Sequence, residues 1–262
     1  MVIESTEEFP IRRVGEEGSS DGIDKVVREL PLTIILNEKE LVTLLCSPVD
    51  LKYLAIGFLY SEGLIKGKDE IRKVLVDEVR GVVRVETRGD KGSTEQIFKR
   101  LITSGCGRGA SFYSAADIQD QERVDSQLVV MANEIFDLVY EFQYRSQLFR
   151  ATGGVHSAAL SDGKKILIFA EDIGRHNAID KIFGRCLLED ISLDGRMIVT
   201  SGRISSEILL KVAKRKIPVI ISKSAPTNMA VRLADSLGIT LVGFVRGKRM
   251  NVYTSGWRVK TG

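Results

Sequence analysis

FRATGGVHSAALSDGKKILIFAEDIGRHNAIDKIFG, residues 149–184, decides how the rest of the chain is read. Both histidines of the protein, His156 and His176, lie within it. Thr152-Gly153-Gly154 stands before the first, and the acidic pair Glu171-Asp172 shortly before the second. Between them, residues 166–170 form an apolar run short enough to be one buried strand. Glycines at 153, 154 and 174 allow a positive φ or a close backbone approach. Strand ends decorated in this way are where α/β proteins keep their ligands.

Downstream the pattern alternates. A helix over 176–188, a strand over 197–200 and a helix over 204–214 are followed by a strand over 217–221, a helix over 227–237 and a strand over 239–244. A last strand over about 250–254 follows a basic turn. Short connections between alternating strands and helices predict βαβ units on a mostly parallel sheet. Upstream, Leu128, Met131, Ile135, Leu138, Val139 and Phe142 recur at helical spacing in a helix starting near Val124. Residues 91–120 are the least regular, with three glycines in the five positions 105–109 around Cys106. This loop marks a domain boundary. Before it, strands are expected over 25–30, 32–36, 41–45, 71–76 and 82–87, with a turn at Asn37-Glu38. Ser47-Pro48 reads as an N-cap followed by proline in the first helical turn, opening a helix that stops near Gly63. Residues 1–24, polar and carrying EEGSSDG, read as a flexible leader. The expected domains are therefore that leader, a β-rich α+β unit over 25–120 ending in the Cys106 loop, and an α/β unit over 121–262.

Composition sets outer limits. A chain of 262 residues, 44% hydrophobic and 28% charged, can bury an ordinary globular core. A net charge of +3 gives no global field for nucleic acid. No apolar run approaches the roughly 20 residues of a membrane span, and the first residues lack a secretory pattern. Three cysteines, at 46, 106 and 186, are odd in number and far apart, which fits a reducing cytoplasm rather than a disulfide framework.

Several groups could carry chemistry. Cys106 sits in a glycine-rich polar loop, where burial is difficult and Arg100 and Arg108 would favour the thiolate. It reads equally as a reactive thiol or as an inert cysteine in a connection. Cys46 ends an apolar strand and reads as core. The histidines lack the Cys-x-x-Cys and His-x-Glu companions of a zinc deaminase, so they read as loop-holding or cleft residues. Thr200-Ser-Gly-Arg-Ile-Ser-Ser206 and Ser222-Lys-Ser-Ala-Pro-Thr-Asn228 each follow a strand and open a helix. They serve as N-caps or as phosphate cradles. Phe244-Val-Arg-Gly-Lys-Arg249 carries three cations suited to a pyrophosphate, or to keeping a sheet edge soluble.

Taken together, NEKELVTLLCSPVDLKYLAIGFLYSEGLI, TSGCGRG, TGGVHSAAL, EDIGRHNAIDKIFG, SGRISSEILLKVAK, SAPTNMAVRLA and GITLVGFVRGKRMNVYT resemble the formate dehydrogenase accessory protein family, the FdhD-type sulfurtransferases. The resemblance covers nearly everything from residue 30 onward. It implies a three-layer cytidine-deaminase-like α/β domain without zinc ligands, preceded by a smaller β-rich domain. It also implies a cytoplasmic homodimer that takes persulfide sulfur from a cysteine desulfurase on Cys106. The sulfur is delivered to the molybdenum (or tungsten) bis-guanine-dinucleotide cofactor, Mo-bis(molybdopterin guanine dinucleotide), bound as substrate on behalf of formate dehydrogenase. No tightly bound metal of its own, no nucleic acid and no membrane are expected. Phe244, Val245, Arg246, Gly247, Lys248 and Arg249 match the segment assigned to the cofactor. Thr152, Gly153, His156, Glu171, Asp172, Arg175, His176, Ser201, Arg203, Ser224 and Thr227 are expected to line or brace the pocket. The chain departs from many relatives in having Gly109 where they carry a second cysteine. A dithiol mechanism within the loop is therefore closed, while relay through one persulfide stays chemically sufficient. The alternative is a cofactor-binding chaperone that transfers no sulfur.

Overall fold

The computed structural model describes residues 4–88 and 121–262; Cys106 and the rest of its loop lie outside the described residues. The larger lobe is built on a six-stranded sheet. Its strands are β8 (His156–Ser161), β9 (Ile166–Asp172), β10 (Met197–Thr200), β11 (Val219–Ser222), β12 (Thr240–Arg246) and β13 (Arg249–Val252). They lie in the order β13-β12-β11-β10-β8-β9. Only β10–β11 and β11–β12 are parallel, and the other neighbours are antiparallel, so the sheet is mixed where a mostly parallel one was expected. β8 is the strand of this sheet that the pattern reading missed. Its sequence HSAALS is short and rich in small residues, and it inserts antiparallel between β9 and β10.

Helices cover both faces, which is why β10 (MIVT) and β11 (VIIS) are apolar along their length and fully buried. Side chains alternate along each strand. Ile198, Ile220 and Leu241 point into one core with α4 (Arg175–Leu188), α5 (Ser206–Lys214) and α6 (Asn228–Ser236). Val199, Ile221 and Val242 point into the other, against Ile135, Leu138, Val139 and Phe142 of α2 (Ala132–Arg145). That i, i+3, i+4, i+7 set is the predicted apolar stripe. The helix starts later than expected, however. Residues 121–129 form neither helix nor strand: Val124 N donates to Leu237 O, and Val130 pairs with Val259 between β7 (Val130–Met131) and β14 (Val259–Lys260). Glu134 then accepts from Met131 N, marking the true helix start.

The smaller lobe is a four-stranded sheet, β4-β3-β6-β5, of β3 (Leu30–Leu36), β4 (Lys39–Cys46), β5 (Ile71–Asp77) and β6 (Val82–Thr87). The predicted turn is present, with Asn37 and Glu38 at φ 47° and 66°, the left-handed pair of a tight two-residue hairpin. Leu32, Ile34, Val83 and Val85 bury against α1 (Leu51–Glu62). Ser47 does not cap that helix. Asp50, at φ 58°, precedes its first residue, and Ser47 instead bonds to the other lobe. The expected leader is corrected too. Residues 6–27 form an antiparallel hairpin of β1 (Thr6–Gly15) and β2 (Gly18–Val27), its base resting on Gly154 through Val27. Polar strands of this kind pair through their backbone, which no apolar periodicity announces.

The lobes meet where α1 crosses α4. Gly57 and Gly184 let the two backbones touch, since a Cβ at Gly57 would lie 1.7 Å from the Asp180 carbonyl oxygen. Beside the crossing, buried Lys211 pairs with Asp180 at 2.7 Å and with Glu62 at 3.2 Å, and Ser61 Oγ donates to Asp180. Burial alone would neutralise Lys211, but the two carboxylates outweigh it and hold it charged.

Candidate functional site

Strand direction gathers the site. The carboxyl ends of β9, β10, β11 and β12 and the amino end of β8 lie along one edge of the large sheet, where α4, α5 and α6 begin. His156 opens β8, paired across the ladder with Asp172, and its Nδ1 lies 3.4 Å from Ser201 Oγ. Ser201 Oγ also accepts from Ser157 N, so this serine fixes the β8–β10 junction beside the imidazole. Burial, aided by the Arg175 charge, lowers the pKa of His156. Arg175 begins α4 with its stem against Gly202, where a Cβ would sit 2.9 Å from that of Arg175. Its Nε is buried without a hydrogen-bond partner among the described residues.

His176 follows, with Nε2 at 3.5 Å from Glu207 Oε2. Burial first, then Lys211, Arg175 and His156, push its pKa from 6.5 down to about 3, so the imidazole is neutral and the contact is not an ion pair. This has a measurable consequence. Unfolded, His176 takes a proton near pH 6.5; folded, it stays neutral until about pH 3. The unfolded chain binds more protons in that window, so stability is complete above it and falls as pH drops through it. His176→Gln is expected to flatten that part of a urea-unfolding profile against pH, and an unchanged slope would contradict the neutral assignment.

The acidic pair braces the site rather than facing it. Asp172, fully buried, accepts from Ser47 N, Gly174 N and Asn177 Nδ2 and pairs with Lys181 Nζ at 2.7 Å. Glu171 accepts from Ser146 Oγ and Phe149 N. Thr152 donates to Leu148 O and accepts from Gly154 N, closing α3 (Gln147–Thr152), with Gly153 at φ 66° as its cap. Thr227 caps α6 by accepting from Ala230 N. Ser224 O accepts from Phe244 N, tying the β11 loop to β12.

The remaining predicted residues present charge. Arg203 is exposed at the end of β10. Phe244 takes a positive φ of 53°, and Val245 is buried beneath the turn at Gly247, so Arg246, Lys248 and Arg249 are held outward. Arg246 and Arg249 are cross-strand partners, an opposition of like charges that is unfavourable without an anion between them. Lys223, which sequence reasoning passed over, joins them: burial and the Arg246 charge lower its pKa. Its position inside the strand-to-helix loop SKSAPTN was the available signal. Glu207 was also missed, because a glutamate in a first helical turn is unremarkable locally. Among the described residues no cluster of His, Cys, Asp and Glu is arranged to hold a metal ion. No described helix is long and apolar enough to cross a membrane. Cys46 and Cys186 are buried, and burial pushes both thiols up to about 12, leaving neither as a nucleophile.

A mixed sheet covered on both faces, with histidines, helix starts and several cations along one edge, defines an α/β protein of the class that presents its ligand site at strand ends. The FdhD/NarQ family profile matches residues 27–260, and the chain belongs to that family. It is 47% identical over 237 residues, 90% of each chain, to a protein of Bacillus pumilus named sulfur carrier protein FdhD. It is 42% identical over 251 residues, 95% of each chain, to one of the same name from Staphylococcus aureus strain MRSA252. A crystal structure of a candidate formate dehydrogenase accessory protein from Desulfotalea psychrophila superposes with a TM-score of 0.81 at 27% identity, over 98% of this chain and 100% of that one.

Proposed function

We propose that the protein is a sulfur carrier for formate dehydrogenase maturation, acting in the cytoplasm as a homodimer. Cys106 takes persulfide sulfur from a cysteine desulfurase and delivers it to the molybdenum (or tungsten) bis-guanine-dinucleotide cofactor, bound as substrate. The observation that carries this reading is the 47% identity, over nine-tenths of both chains, to a protein named as a sulfur carrier. The buried state of Cys46 and Cys186 supports Cys106 as the acceptor, because neither can offer a thiolate. The cation-lined edge supports a phosphate-bearing ligand. The helices on both faces of the sheet agree with a cytidine-deaminase-like layering.

In the first transfer the Cys106 thiolate attacks the outer sulfur of the donor persulfide. The donor S–S bond breaks, a new one forms at Cys106, and the donor leaves as its thiolate with no net oxidation. Delivery reverses the roles: the Cys106 thiolate is the leaving group, and the released sulfur atom draws two electrons from the reduced metal centre that accepts it. A second cysteine is not required, which accommodates Gly109. Incubation with a desulfurase and cysteine is expected to add 32 Da, one sulfur atom, at Cys106 by peptide mass spectrometry. A Cys106→Ala variant that still restored formate dehydrogenase activity would sink the sulfur step. That result would favour the chaperone reading, for which Gly109 is the supporting feature.

A further inference from the structure

We propose that the free edge of β9 is a docking groove for an extended peptide segment of a partner protein, held by strand pairing and by a lysine or arginine of that segment. This goes beyond the sulfur-carrier reading and does not depend on it. β9 ends the large sheet, with β8 on one side and no strand on the other among the described residues. Both backbone groups of Ser157 face the β10 side, its N–H donating to Ser201 Oγ and its carbonyl accepting from Ser201 N. Successive residues of a strand turn their backbone groups to opposite neighbours. His156, Ala158 and Leu160 therefore face β9, where they meet Asp172, Ala170 and Ile168. It follows that Phe169 and Glu171 turn their N–H and C=O groups away from the sheet. Lys181 supports this direction independently, since its Nζ donates to the Glu171 carbonyl. The N–H and C=O of Phe169 have no partner among the described residues.

An edge of this kind needs a reason. Sheet edges are normally short, charged or covered, because an open one pairs with other chains. The opposite edge follows that rule, for β13 has four residues and begins with Arg249. β9 runs for seven residues, ILIFAED, and the first five carry no charge. Beside it lies a cavity of about 460 Å³, a size typical of ligand clefts. Phe169 and Glu171 line it from β9, Val49 and Asp50 from the smaller lobe, and Leu148 and Ala151 from α3. An extended segment laid there would find backbone partners along β9 and apolar contacts on both walls. Those are the two elements of recognition by strand addition.

Charge selects the kind of segment. Asp50 and Glu171 line the cavity, and no lysine, arginine or histidine lines it among the described residues. Asp50 is exposed, makes no side-chain cap to α1 and has no ion-pair partner among the described residues. Glu171 uses Oε1 for both Ser146 Oγ and Phe149 N, which leaves Oε2 to a ligand. Two carboxylates on one cleft suit a cation brought by the incoming chain. A second copy of this protein fits poorly, because its own β9 is flanked by the walls of its own groove. A segment free on both sides enters without that obstruction.

The probes are terminally blocked, fluorescein-labelled nine-residue peptides of alternating threonine and valine with lysine, alanine or glutamate at the centre, titrated into the full chain by fluorescence anisotropy. The expected order of affinity is lysine, then alanine, then glutamate. N-methylation of the lysine peptide at one alternating set of residues should abolish binding, and methylation at the other set, facing away from β9, should leave it unchanged. Asp50→Asn keeps a residue type that tolerates the φ of 58°. It should weaken the lysine peptide by up to about fivefold, the size of an exposed ion pair, without affecting the alanine peptide. Ala151→Trp, at an exposed position of α3, should fill the groove and remove binding of every peptide, with thermal unfolding to verify that both variants are folded. No binding by the wild-type protein, equal effects of the two methylation sets, equal affinity for the lysine and glutamate peptides, or binding that survives Ala151→Trp would each overturn the proposal. So would a wild-type dimer that Ala151→Trp converts to monomer, because the edge would then belong to a second copy.

Discussion

Lys181→Met is expected to destabilise the protein by about 3–5 kcal/mol, the cost of leaving one partner of a buried pair uncompensated. Lys181 and Asp172 have 1% and 0% of their side chains exposed and approach to 2.7 Å. The lysine also donates to Glu171 O, while Asp172 takes the amides of Ser47 and Gly174 and the side chain of Asn177. With the ammonium removed, the carboxylate remains away from water with its charge unbalanced. For a chain of this size the loss corresponds to a fall in Tm on the order of 10 °C. Asp172→Asn should cost less than Lys181→Met, because the amide side chain keeps part of the hydrogen bonding. The double variant should cost less than the sum of the two, since the pair acts as one unit. Urea unfolding of the three variants checks this, and additive effects would show that the groups are independent. The effect should also reach the site, because the same carboxylate holds the β9–α4 turn from which Arg175 and His176 project.

Gly184→Ala carries the second large effect, and here two opposing terms have to be compared. Alanine in a helix interior gains about 1 kcal/mol over glycine from propensity. At this position, however, a Cβ would lie 2.0 Å from the Tyr53 carbonyl oxygen and 2.7 Å from the Gly57 amide nitrogen. Backbone cannot rotate aside as a side chain does, so the α1 and α4 axes would have to part. That separation would loosen Leu54 and Phe58 on one side and Ile182 and Phe183 on the other, all now within two well-packed cores. Overpacking of this kind costs about 1–3 kcal/mol and more where the neighbour is rigid, so the clash outweighs the propensity gain. A thermal melt in which Gly184→Ala matched or exceeded wild-type stability would refute the close crossing.

The site was legible in the sequence to different depths. His156, Arg175, His176, Ser201, Arg203 and the turn at 244–249 do share one edge, because each stands at a strand end or helix start that a local pattern marks. Thr152, Gly153, Thr227 and the acidic pair stand at the same ends, yet the structure uses them as caps and braces. A residue next to a strand end is next to a ligand site only if its side chain is not already engaged, and engagement is a tertiary matter. Lys223 and Glu207 show the converse, gaining significance from neighbours on other strands and helices.

By itself the sequence determined the run of strands and helices from Ile166 onward, the Asn37-Glu38 turn and the apolar face of α2. Periodicity, caps and turn residues act over about four positions, within reach of a local reading. Only the tertiary structure decided that β8 enters antiparallel, that residues 6–27 pair as a hairpin, that Ser47 serves the other lobe and that Asp172 is sealed from water. The bond from Ser47 N to Asp172 spans 125 residues of chain. No local preference encodes such a contact, because burial and the charge of a partner belong to the folded whole.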